Sequence, residues 1–164
     1  MSRVFRILGI DPGSRTTGYG VVERRGGVNY FVACGVIKST PTLAFPLRLK
    51  EIHDGVRQVI ERYSPECAAV EEVFFAKNPS SALKLGQARG AILIALLTHG
   101  LEVHEFTAKQ VKQAVAGYGQ AAKEQVQHMV RVLLNLSAEP SQDAADGLAI
   151  ALCLSNHLKY GITS

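Results

Sequence analysis

The sequence predicts an α/β fold: a mixed five-stranded sheet flanked by helices on both faces. Two observations carry this. Three strand-like stretches follow one another through short turns near the N-terminus, the pattern of antiparallel hairpins. The remaining strand-like runs alternate with helical periodicity, which requires right-handed parallel crossovers and leaves helices to cover the sheet.

Phe5–Asp11 reads as a buried strand stopped by the turn pair Pro12-Gly13. Gly18–Val22 and Val28–Ile37 are the next two strands, joined around Arg24-Arg25-Gly26-Gly27. Leu49, Ile52, Val56, Val59, Ile60 and Tyr63 recur at helical spacing, with Pro46 suited to a first turn and Pro65 as the stop. Cys67–Phe75 is an apolar run holding two acids, Glu71 and Glu72, and reads as a central strand. Ser80 or Ser81 is the expected cap of a long apolar helix ending near Thr98, with Gly100 as terminator. Leu101–Phe106 is the fifth strand, and Thr107-Ala108-Lys109-Gln110 has the form of a capping box opening a helix to Ala116. Gly117-Tyr118-Gly119 breaks that helix, Lys123–Leu136 forms another, and Pro140-Ser141 opens the last, which runs to about Leu158.

At 164 residues, one domain spanning 1–164 is expected. The longest apolar stretch, Ala91–Leu97, is far short of the roughly 20 residues that cross a bilayer, and the first residues lack a leader's apolar segment. Cys34, Cys67 and Cys153 form no C-x-x-C pair, which speaks against zinc or a disulfide framework and for a cytoplasmic location. Eighteen basic residues against fourteen acidic ones give a net charge of +4, compatible with a polyanionic partner but weak as a signal.

Four acids stand where a core should be. Asp11 ends an apolar strand; Glu71 lies in a strand of Ala, Val and Phe; Asp143 and Asp146 share one face of an otherwise apolar helix. Each has an ordinary reading. Asp11 can set an Asx turn, and Asp143 can complement a helix N-terminus. Strand alternation places Glu71 and Glu72 on opposite faces and does not choose between them. Taken together, clustered carboxylates repel and raise one another's proton affinity unless a cation joins them. An all-oxygen donor set favours Mg²⁺ or Mn²⁺, and two such ions suit phosphodiester cleavage.

Several segments resemble the RuvC-type Holliday junction resolvases of the RNase H-like superfamily. They are Gly9-Ile10-Asp11-Pro12-Gly13-Ser14-Arg15 with Thr17–Val21, Ala69–Phe74 with Ala76-Lys77-Asn78, and Ser81–Gly90. Gln110–Gln113, Gln125–Arg131 and Asp143–Ala151 continue the likeness in the same order along nearly the whole chain. The resemblance implies an RNase H-like fold and a crossover junction endodeoxyribonuclease acting in recombination and repair. It assigns Asp11, Glu71, Asp143 and Asp146 as catalytic metal ligands, with Mg²⁺ (Mn²⁺ being plausible) as cofactor, two ions to a site. It gives Lys112 and Lys123 the scissile phosphate and Phe74 an unpaired base to stack on. Arg15, Lys77, Lys84, Arg89 and Lys109 are weaker phosphate candidates. The resemblance further implies a homodimer paired through the helix holding Gly86 and Gly90, four-way junction DNA as substrate, and the RuvA–RuvB branch-migration complex as partner. Glu72 stands where the family often has Gln. A non-catalytic junction-binding protein on the same scaffold is the alternative. An actin-like phosphotransferase is a third, carried only by Asp11-Pro12-Gly13-Ser14 and the glycines after it.

Overall fold

Strand β1 (Phe5–Asp11) is the pivot of the sheet. The structure, a computed structural model, describes residues 3–73 and 78–158. On one side β1 pairs antiparallel with β2 (Thr16–Arg25), which pairs antiparallel with β3 (Val28–Lys38). On the other it pairs in parallel with β4 (Cys67–Glu71), itself parallel to β5 (Glu102–Phe106), so the order is β3-β2-β1-β4-β5. The crossovers are α1 (Phe45–Tyr63) and α2 (Pro79–Thr98); α3 (Ala108–Ala116), α4 (Lys123–Leu133) and α5 (Gln142–Leu158) follow.

The helices divide between the faces as the alternation of β1 and β4 dictates. Leu8, Ile10, Ala68 and Val70 pack with Ile52, Val56, Ile92 and Leu96 of α1 and α2. Ile7, Cys67 and Ala69 point the other way, into a core shared with Val111, Val126, Leu148 and Cys153 of α3, α4 and α5. Asp11 and Glu71 continue this second set by the period of two.

Several boundaries differ from the sequence reading. Strand β4 stops at Glu71, not Phe75: Glu72 N–H makes one last bond to the Phe106 carbonyl at 2.8 Å, after which the chain leaves the sheet. Phe75 lies outside the described residues. Asn78, not Ser80 or Ser81, caps α2, its side chain accepting from Ser81 N–H at 2.9 Å. Pro79 explains this, since proline favours the first helical position and places the cap one residue before it. Helix α4 ends at Leu133, three residues short of Leu136, and Asn135 takes a positive φ of 52°. The Thr107–Gln110 capping box is present, and Gly117 ends α3 in the left-handed region.

Helix α5 lies directly on β1 and β2, and glycine sets how closely. A Cβ at Gly18 would stand 1.9 Å from the Asp143 carbonyl oxygen, and one at Gly147 would stand 2.5 Å from the Tyr19 carbonyl carbon. Both contacts are backbone, which cannot rotate aside. Gly147→Ala should therefore lift α5 off the sheet and lower stability by about 1–3 kcal/mol, read from urea denaturation. Divalent-cation affinity should fall with it.

Candidate active site

The C-terminal ends of the parallel strands β1 and β4 place two acids side by side. Ile10 is in register with Val70, so Asp11 and Glu71, one step on, leave adjacent strands on the α5 face. This register settles the choice that alternation left open: Glu71 joins the cluster, whereas Glu72 lies past the end of the strand. Asp143 and Asp146 arrive from the first turns of α5, which Ser141 Oγ caps by accepting from Ala144 N–H at 3.3 Å. Carboxylate oxygens of Asp11, Asp143 and Asp146 lie within 4.8 Å of one another. Asp11 is also within side-chain hydrogen-bonding reach of Glu71 and Asp146.

Three of the acids, Asp11, Glu71 and Asp146, line a cleft of about 350 Å³ with Pro12, Lys112 and Lys123, and with Val73, Leu85, Val111 and Val126 as apolar walls, while Asp143 is exposed outside its lining. Lys112 reaches it from α3 and Lys123 from the first residue of α4. Neither lysine has an ion-pair partner among the described residues. The apolar walls lower the local dielectric, so charge in the cleft is felt strongly.

The electrostatics follow from burial. Desolvation, then the charges of Glu71 and Asp143, push Asp11 up to about 8. Desolvation and the charge of Asp11 raise Asp146 to about 7, against the opposing pull of Lys123. Glu71 is raised as well, by burial first, while Lys112 and Lys123 work in the other direction. Carboxyls whose proton affinity is raised in this way are suited to a cation, whose binding displaces protons. The donors are all oxygen, spaced closely enough to share one ion, so the set fits a hard divalent metal.

Of the remaining sequence candidates, Arg15 is exposed on the turn after β1, and Lys84 is exposed on α2 with its Nζ 5.8 Å from the Phe45 ring. Lys109 lies away from the cleft, its stem against Gly119 and beside a groove with Gln113, Asn156 and His157. Arg89 is engaged with Glu105 and the Glu71 main chain. Phe74 and Lys77 lie outside the described residues. Sequence reasoning missed Gly18 and Gly147, although glycine inside a strand or helix is itself a cue for close backbone approach.

Residues 7–154 match the family model "Crossover junction endodeoxyribonuclease RuvC". The chain belongs to the RuvC family. It is 55% identical to the Cupriavidus metallidurans RuvC over 151 residues, covering 92% of this chain and 83% of that one. With the Neisseria meningitidis RuvC it is 55% identical over 159 residues, 96% and 89% of the two chains. Among solved structures it is similar to Thermus thermophilus RuvC in complex with a Holliday junction substrate, at TM-score 0.88 and 40% identity, covering 94% of this chain and 95% of that one. The yeast mitochondrial Holliday junction resolvase shares the fold at TM-score 0.64 and 13% identity, covering 94% of this chain and 82% of that one.

The cluster gives stability a definite pH dependence in the absence of metal. Asp11 has its folded value raised from 3.8 to about 8, so between those values the folded chain binds more protons than the unfolded one. Stability from this group is complete at low pH and is lost as pH rises toward 8. In EDTA the melting temperature should fall as pH rises from about 4 to about 8, and Asp11→Asn should flatten that slope. Stabilisation by added Mg²⁺ should grow over the same interval, measured by scanning calorimetry.

Proposed function

We propose that the protein resolves four-way DNA junctions as a structure-selective endonuclease, hydrolysing two symmetry-related phosphodiester bonds in a metal-dependent reaction. The observation that carries this is the meeting of carboxylates from β1, β4 and α5 beside two lysines that have no acidic partner among the described residues. Asp11, Glu71, Asp143 and Asp146 are the ligands for divalent cations, with Mg²⁺ as the fitting ion and Mn²⁺ as its substitute. Cations held there supply Lewis acidity toward the attacking water and the leaving oxygen.

The chain's own groups do the rest. The four carboxylates, fixed by strand register and by the close seat of α5, orient the reaction centre before DNA arrives. Lys112 and Lys123 bind the scissile phosphate and offset the negative charge that grows on it in the transition state. Val73, Leu85, Val111 and Val126 thin out the water around that charge, which strengthens every polar contact. Phe74, following the catalytic strand, is the proposed base-stacking residue. Arg15, Lys77 and Lys84 are proposed contacts to outlying phosphates, their role being attraction and orientation.

A homodimer fits both the task, which needs two cuts, and the exposed face of α2. Leu83, Ile94 and Leu97 are more than half exposed at 68%, 58% and 56%, and a Cβ at Gly86 or Gly90 would meet nothing. A second copy laid along this stripe buries it, the two glycines letting the helices come close. The RuvA–RuvB complex is the proposed partner, and the cytoplasm the proposed location. Among the described residues no helix is long and apolar enough to cross a membrane.

On a synthetic four-way junction with Mg²⁺, Asp11→Asn, Glu71→Gln, Asp143→Asn and Asp146→Asn should each lower cleavage by at least about 100-fold while junction binding persists. Equal cutting of a linear duplex by the wild-type protein would reduce the reading to a general nuclease. Junction affinity should fall with salt at a log–log slope of about −0.9 for each phosphate neutralised. Separately, Ile94→Arg should yield monomers in analytical ultracentrifugation and lose the coordination of the paired nicks.

A further inference from the structure

Glu71 is the last residue of β4, and past it the sheet holds the chain by one bond, from Glu72 N–H to the Phe106 carbonyl at 2.8 Å. Arg89 of α2 adds to that hold. Its Nε donates to the Glu71 carbonyl oxygen at 3.3 Å, and its Nη2 donates to Glu105 Oε1 on β5. The register explains the meeting: Val70 is paired with Glu105, so both side chains leave the sheet on the α2 face. Glu71 leaves on the opposite face. The guanidinium thus holds the main chain of β4 from beneath while the Glu71 carboxyl sits above, in the acid cluster.

Resting on the reading of Glu71 as a metal ligand, we propose that Arg89 is a positioning residue, which acts through the Glu71 backbone, and not a phosphate contact. Its side chain is 21% exposed and lies on the flank of α2, off the line of Leu83, Ile94 and Leu97. The planar fork matters, because Nε and Nη2 are separate donor atoms held in one plane, and a single ammonium nitrogen does not match that spacing toward both the carbonyl and the carboxylate. Glu105 aims the fork, as an outer carboxylate aims a metal-binding histidine. Loss of either partner leaves the strand end held only by its pairing with Phe106, which loosens the placement of the Glu71 carboxyl beside Asp11.

The test compares Arg89→Ala, Arg89→Lys and Glu105→Gln with wild type and with Asp11→Asn. Four quantities are read: Mn²⁺ affinity of the free protein by calorimetry, junction affinity in Ca²⁺ with its salt slope, kcat and KM for cleavage, and the melting temperature. Arg89→Ala should weaken Mn²⁺ binding and lower kcat by about 10–100-fold, the usual loss when an outer-sphere group is removed. Junction affinity, KM and the salt slope should stay within about twofold. Arg89→Lys should recover kcat only in part, and Glu105→Gln should show a smaller loss of the same kind with folding intact. A salt slope reduced by about one unit, with KM raised, would make Arg89 a phosphate contact and overturn the proposal. Unchanged Mn²⁺ affinity and kcat in both Arg89→Ala and Glu105→Gln would overturn it equally. If Asp11→Asn keeps full Mn²⁺ binding and cleavage, the acid-cluster reading fails on its own account, whatever the Arg89 variants do.

Discussion

Helix α5 touches β1 and β2 backbone to backbone, and the site depends on that contact. With side chains between them, a helix and a sheet pack about 10 Å apart, and carboxyls on the helix would stand a layer above those on the strands. Gly18 and Gly147 remove the layer. The Asp143 carbonyl then lies over Gly18, the residue that pairs with Asp11 across the hairpin, so one close approach delivers Asp143 and Asp146 to Asp11. The next stretch of α5, from Leu148 to Leu154, is buried and anchors the contact over about two further turns.

That arrangement opposes stability where it serves chemistry. Three acids are held in partial burial with their proton affinities raised, and what offsets this lies elsewhere: two apolar cores, one on each face of the sheet, and two lysines at the mouth of the cleft. Strain confined to one spot on a well-packed frame is the usual physical condition of a catalytic site. The raised proton affinities fit the proposed occupancy by a hard cation, which would offset the repulsion among the ionised forms of Asp11, Glu71 and Asp146.

Much of this was legible in the sequence where the signal is local. Alternation and helical spacing located the ten elements of the described residues, and the Thr107–Gln110 box marked the start of α3 to the residue. Asp146 and the acid within the β4 run stood out because carboxyls do not belong on apolar faces. What escaped is what depends on a neighbour distant in the chain. The choice between Glu71 and Glu72 needs the register of β4 against β1. The tie from Arg89 to Glu71 and Glu105 needs three elements brought together in space. The end of β4 was misjudged because Val73, Phe74 and Phe75 extend an apolar pattern past the point where the neighbouring strand stops offering bonds.

The positive and negative halves of the cleft are carried by different supports. The acids ride on the sheet and on α5, whereas Lys112 and Lys123 stand on two short helices joined by a turn in which Gly117 adopts a φ of 89°. Lengthening, shortening or stiffening that turn moves one ammonium relative to the other and leaves the carboxylates where they are. On the proposed reading, phosphate grip and cation binding can therefore drift apart over evolutionary time through changes in a surface hairpin, without any residue of the carboxylate floor being altered.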